Sequence, residues 1–256
     1  MKAQSLFYCT LFALTSQQMA AMNIQDSIKQ YIDNSNSIPG WFETKFVDPL
    51  LAINTYQNSH SIQGNIAEIG VFYGKSFIPL YLMAGPNDFL LAIDCFENQQ
   101  FNYDKSGPGA RYANFLNTLK KFIPDTSMLR VISGDSSTKT AQDYLNACNG
   151  KKFRMFSIDG CHRAKETGID LKNAAESLVP GGIIIIDDYF NKEWPGVSEG
   201  VSQFLVNNPT IKPFFIGHNK MLLTNAEYVL VYYKLLKAHF KPMKESEFHN
   251  SLVLIY

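Results

Sequence analysis

Six carboxylates in this chain fall where short apolar runs end: Glu68, Asp94, Asp135, Asp159, Asp187 and Asp188. Phe89-Leu-Leu-Ala-Ile-Asp94 and Ile183-Ile-Ile-Ile-Asp-Asp188 show the pattern plainly. A charge beside a core strand carries a desolvation cost. A purely structural reading has to accept that cost at each of these strand ends. Gathered carboxylates can accept hydrogen bonds from ribose hydroxyls, hold a hard cation, or take a proton from a hydroxyl. Asp159, Asp187 and Asp188 converging within a few ångströms would repel one another unless a cation or protons intervene. His162 follows Asp159 by three residues and is a candidate base beside it. His218 is a weaker one; His60, His239 and His249 read as surface residues.

The elements that position these groups follow from periodicity. Apolar strands are expected at 65–70, 89–94, 128–132, 153–158 and 183–186, with helices at 75–83, 110–122, 138–147 and 165–178 between them. Such alternation gives a mostly parallel α/β sheet, and ligands bind outside the carboxyl ends of its strands. The unbroken Ile183–Ile186 run suits a central strand covered on both faces. The first turn, Gly70-Val-Phe-Tyr-Gly74, opens on a glycine and closes on another. It departs from G-x-G-x-x-G because Phe72 stands where a glycine lets the backbone close on a pyrophosphate. That favours S-adenosylmethionine (SAM), which has no pyrophosphate, over NAD. Asp94 lies 24 residues after Gly70 at the next strand end, placed to bind ribose hydroxyls.

Lys+Arg and Asp+Glu both number 23. A net charge of zero argues against a dedicated nucleic-acid surface, and a small polar acceptor fits. The four cysteines, Cys9, Cys95, Cys148 and Cys161, lack metal-site spacing and are expected as free thiols in a reducing, cytoplasmic setting. Leu6–Leu14 after Lys2 outlines a short signal peptide, but Gln18 spoils the cleavage pattern. No run is long enough to span a membrane. Residues 1–60 are expected as a helical cap or lid and a candidate interface for a homo-oligomer, 61–235 as the main domain, and 236–256 as a packed tail. Within the main domain a helix is expected at 197–206, and close-set strands at 214–216, 221–223 and 227–232 imply an antiparallel edge. Phe101–Gly109 is a candidate lid loop; Tyr189, Phe190 and Trp194 are candidate substrate covers. Gly196-Val-Ser-Glu-Gly200 matches G-x-S-x-G but does not follow a strand, so hydrolase chemistry is set aside.

Glu68-Ile-Gly-Val-Phe-Tyr-Gly-Lys-Ser76, Ile158-Asp-Gly-Cys-His-Arg163 and Gly181-Gly-Ile-Ile-Ile-Ile-Asp-Asp-Tyr-Phe190 followed by Trp194-Pro-Gly-Val197 resemble the class I SAM-dependent methyltransferases. The nearest resemblance is to the macrocin-type sugar O-methyltransferases, over about residues 60–235. It implies a Rossmann-like fold with a seven-stranded, mostly parallel sheet and an antiparallel C-terminal edge. It implies cofactor contacts at Glu68, Gly70, Gly74, Ser76, Asp94, Asp135, Ser136 and Asp159. It also implies a magnesium ion on Asp159, Asp187 and Asp188, with Asp159 or His162 taking the acceptor proton. The expected activity is therefore SAM-dependent O-methylation of a small hydroxylated molecule, such as a sugar or glycoside, assisted by Mg²⁺. The alternatives are a non-catalytic methyltransferase-like binding module and an NAD-dependent oxidoreductase.

Overall fold

The computed structural model describes residues 24–256. The signal-like segment and Cys9 lie outside the described residues. A helix over 24–34 (α1) and α2 (Val47–Ser59) precede the sheet. Alternation then runs β1 (Asn65–Ile69), α3 (Phe77–Leu82), β2 (Leu90–Asp94), α4 (Tyr112–Leu119), β3 (Leu129–Ser133), α5 (Ala141–Ala147), β4 (Phe153–Ile158), α6 (Ala164–Ser177), β5 (Leu178–Asp187) and α7 (Pro195–Asn207). The chain finishes with β6 (Ile211–Gly217), β7 (Lys220–Asn225), α8 (Val229–His239), β8 (Lys244–Phe248) and β9 (Ser251–Ile255).

All nine strands form one sheet in the order β3-β2-β1-β4-β5-β7-β6-β9-β8. The first five are parallel; β7 runs antiparallel between β5 and β6. Side chains alternate across the pleat. Ile183 and Ile185 therefore join the core shared with α2, α3 and α8. Ile184 and Ile186 join the core shared with α5, α6 and α7. Pro79, expected inside a helix, falls in the first turn of α3, where its missing N–H breaks no helical bond.

The C-terminal part differs from expectation in two ways. Residues 227–232, expected as a strand, instead form the end of a 3-10 turn (Ala226–Tyr228) and the start of α8. Val229, Tyr232, Tyr233 and Leu236 recur at helical spacing and are all buried, so the helical face decides. Residues 236–256 do not simply pack as a tail: β8 and β9 form a hairpin, and β9 pairs parallel with β6, Phe215 opposite Leu254. The sheet is thus two strands wider than the expected seven.

Candidate functional site

The carboxyl ends of the parallel strands open into a cavity of about 720 Å³. Its rim takes Trp41 from the segment before α2, Gly109 from the loop after β2, and Trp194 from the segment before α7. The floor is tight. Gly70 sits at φ +83°, and a Cβ there would lie 1.7 Å from the Asp159 carbonyl oxygen, so the ends of β1 and β4 touch backbone to backbone. Asp94 Oδ2 accepts the Phe72 N–H of the glycine turn at 2.9 Å, and Oδ1 accepts the Phe96 N–H at 2.7 Å. Burial pushes the Asp94 carboxyl up, and the two N–H donors oppose that.

At the third strand end, Asp135 caps the short turn Ser136–Thr138 by accepting from the Ser137 N–H and hydroxyl. Its other oxygen accepts the Tyr103 hydroxyl of the loop at 2.9 Å. Ser136 donates to Asp170 on α6 at 3.1 Å. Asp170 is buried, its second oxygen has no partner, and burial pushes it up to about 7.

The fourth and fifth strand ends meet at His162. Its Nδ1 faces Asp104 Oδ2 at 2.8 Å, and its backbone N–H donates to the same oxygen. Its Nε2 faces Asp188 at 3.1 Å and Asp159 at 3.8 Å, and its ring stacks on Trp194 with centroids 4.4 Å apart. Burial alone would lower the imidazole; hydrogen bonds to Asp104 and Asp188, and the nearby Asp159 carboxylate, outweigh it and hold His162 up to about 11. One ligating atom each of Asp159, His162 and Asp188 lie within 4.8 Å of one another. Asp187 is held differently. Its Oδ2 accepts the Lys220 ammonium, and Oδ1 accepts the Asp188 N–H at 2.8 Å.

Residues 67–189 match the sequence model of a methyltransferase domain family. The matched stretch runs from β1 to the end of β5 and is described as a methyltransferase domain. No curated protein matches the sequence. Solved structures similar to this chain include the O-methyltransferase NovP, at TM-score 0.63 and 12% identity, covering 80% of this chain and 99% of that one. CalS11, described as a TDP-rhamnose 3′-O-methyltransferase of calicheamicin biosynthesis, aligns at 0.53 and 16%, covering 78% and 93%. The SAH-bound Podospora anserina methyltransferase PaMTH1 aligns at 0.52 and 15%, covering 82% and 95%. At these identities the likeness is one of fold.

Within residues 67–189, Gly70, Ser76, Asp94, Asp135, Ser136, Asp159, His162, Asp187 and Asp188 all line the cavity. Two sequence candidates stand behind its wall. Gly74 lies at φ +86°, and a Cβ there would meet the Phe115 ring at 3.2 Å, so it serves close packing of α4. Glu68 is fully buried, with Ser157 donating to one oxygen at 3.0 Å and none to the other. Burial and then Asp159 push it up to about 8.

Two participants escaped the sequence reading. Asp104 lies in the candidate lid loop Phe101–Gly109 but at no strand end, and Lys220 reads as a turn residue between two strands. The G-x-S-x-G glycines prove to be packing devices of α7: a Cβ on Gly196 would lie 2.4 Å from the His162 carbonyl oxygen, and one on Gly200 2.6 Å from that of Ala164. Among the described residues, Cys95, Cys148 and Cys161 are free thiols, and no helix is long and apolar enough to cross a membrane.

Proposed function

We propose that this methyltransferase domain transfers a methyl group to a hydroxyl of a small polyhydroxylated acceptor, a sugar or glycoside. One observation carries the reading: Asp94, Ser136 and the Asp159–His162–Asp188 cluster face a single cavity of about 720 Å³ at the strand ends. That volume suits a cofactor and small acceptor together. Asp94 offers a carboxylate for ribose hydroxyls, and Asp135 and Ser136 edge the neighbouring strand end. The cofactor fits the donor set, because the glycine turn brings backbone N–H groups and two carboxylates together with no pyrophosphate cradle. SAM supplies an electrophilic methyl on a sulfonium when bound.

The acceptor hydroxyl is oriented by Asp159 and Asp188, both held in place by His162. The Asp159 carboxylate takes its proton. His162, fixed by Asp104, acts as the cation that keeps two like charges close. The exposed Trp41, stacked on Phe72 with centroids 6.1 Å apart, offers the acceptor an apolar face. CalS11, with the same fold, is named for a sugar nucleotide, in keeping with such an acceptor. A magnesium ion on all three aspartates would have to displace Lys220 from Asp187. The free thiols accord with a cytoplasmic setting.

The test is calorimetric titration with SAM and with NAD, followed by transfer of labelled methyl to a panel of hydroxylated glycosides. Binding of SAM alone, and labelled product that Asp159→Asn abolishes, are the expected results. A folded chain that binds no SAM would end this reading.

A further inference from the structure

The aspartate cluster already contains a fixed positive charge. Asp187 closes β5 and Lys220 opens β7, and the antiparallel register sets them directly opposite each other. Directly paired residues project on the same face of a sheet with their side chains in reach. The turn between β6 and β7 places His218 at φ 54° and Asn219 at φ 59°. Two left-handed residues are what a two-residue hairpin turn requires. The hairpin therefore delivers this lysine to this aspartate.

The surroundings hold it there. Lys220 is 5% exposed, and the Phe42 ring lies 5.5 Å from its Nζ. Its charged neighbours are Asp187, Asp159 and Glu68. A buried ammonium is tolerated only against paired anions. Asp187 has little left to offer another cation: besides Lys220, it accepts the Asp188 N–H and, at 3.3 Å, the Asn219 amide. A dication on Asp187 would stand at contact distance from the ammonium, where like charges repel strongly.

We propose that the Lys220 ammonium is the resident cation on Asp187, in the place a divalent metal would take, and that the site binds no metal through Asp187. This departs from the three-aspartate magnesium site that the family resemblance implies. Lys220 is a positioning residue. It fixes Asp187, whose Oδ1 holds the Asp188 N–H while Asp188 sits in the left-handed region at φ 59°. Asp188 is thereby aimed at His162.

The decisive measurement is Mn²⁺ binding to the full chain, read by electron paramagnetic resonance, which needs no methyl-transfer activity. The chelator-treated wild type is expected to bind no Mn²⁺ at about 1 mM, a concentration that fills carboxylate sites of even modest affinity. Lys220→Ala frees Asp187 and is expected to bind Mn²⁺ at least about ten-fold more tightly than the wild type. Lys220→Met, closer in volume, replaces it if the alanine variant fails to fold. Where SAM-dependent turnover is measurable, chelation should change the wild-type rate less than about two-fold.

Stoichiometric Mn²⁺ binding by the wild type, or loss of turnover on chelation with recovery on adding metal, would overturn the proposal. So would a folded Lys220 variant that gains no Mn²⁺ affinity. If neither variant folds, the wild-type titration alone decides. Failure to bind SAM would end the methyltransferase reading and leave this titration unaffected.

Discussion

Buried charge occurs at both ends of the parallel strands, and the two ends treat it in opposite ways. Near the start of β4, Arg154 is 1% exposed and fully answered. Its guanidinium donates to Asn54, Gln57 and the Met83 carbonyl, each at 2.9 Å, and reaches Asp88 at 3.4 Å. Gln57 in turn donates to the carbonyls of Arg154 and Gly181. At the far ends of β1, β4 and β5 acids outnumber bases, and Glu68 and, nearby on α6, Asp170 each keep an oxygen without a partner. Satisfied buried charge of the first kind locks α2 to the sheet. Acids of the second kind are left incompletely paired behind the cavity wall.

That contrast can be broken by exchanging the properties of the two ends. Arg154→Met should be the largest effect, a loss of about 3–5 kcal/mol of stability, because four acceptors lose their donor. Denaturant unfolding measures it. A loss below about 1 kcal/mol, the level of an exposed pair, would erase the distinction. Asp159→Asn should do the reverse, lowering methyl transfer by roughly 10²–10⁴-fold with stability unchanged or raised.

Asp170→Asn sharpens the comparison through pH. The folded-state value of about 7 lies above the ordinary aspartate value of 3.8. The folded chain thus binds more protons than the unfolded one between those values, and the contribution of Asp170 falls as pH rises through that window. The variant, which carries no charge, should gain up to about 4 kcal/mol at pH 8 and almost nothing at pH 4. Equal gains at both pH values would show that desolvation is not the cause. Asp104→Asn should be the mildest, slowing turnover about ten-fold with SAM affinity retained, since it loosens His162 without touching the cofactor side. A fall in SAM affinity instead would mean that the loop, and not the histidine, is what Asp104 serves.

The strand ends were legible because desolvation makes carboxylates conspicuous beside runs such as Ile183–Ile186. Asp94, Asp159 and Asp188 could be named from that alone, and all reach the cavity. Asp104 could not, since its role depends on a loop folding back across 58 residues to His162. Lys220 could not, since its meaning lies in cross-strand register, which a lysine at a strand start does not announce. The final hairpin was hidden for a different reason: Lys244-Glu-Ser-Glu-Phe248 has the charge of a solvated loop, and only pairing with β9 makes it a strand.

That hairpin bears on how the protein behaves in solution. β6 carries Phe214, Phe215 and Ile216, all buried, and β9 covers its outer edge. Beyond β9, the lysine and two glutamates of β8 make a poor template for a further strand. A chain stopped before residue 240 would expose the β6 edge as an apolar, unpaired ladder. Such a protein would self-associate during expression and concentration long before its cofactor chemistry could be assayed.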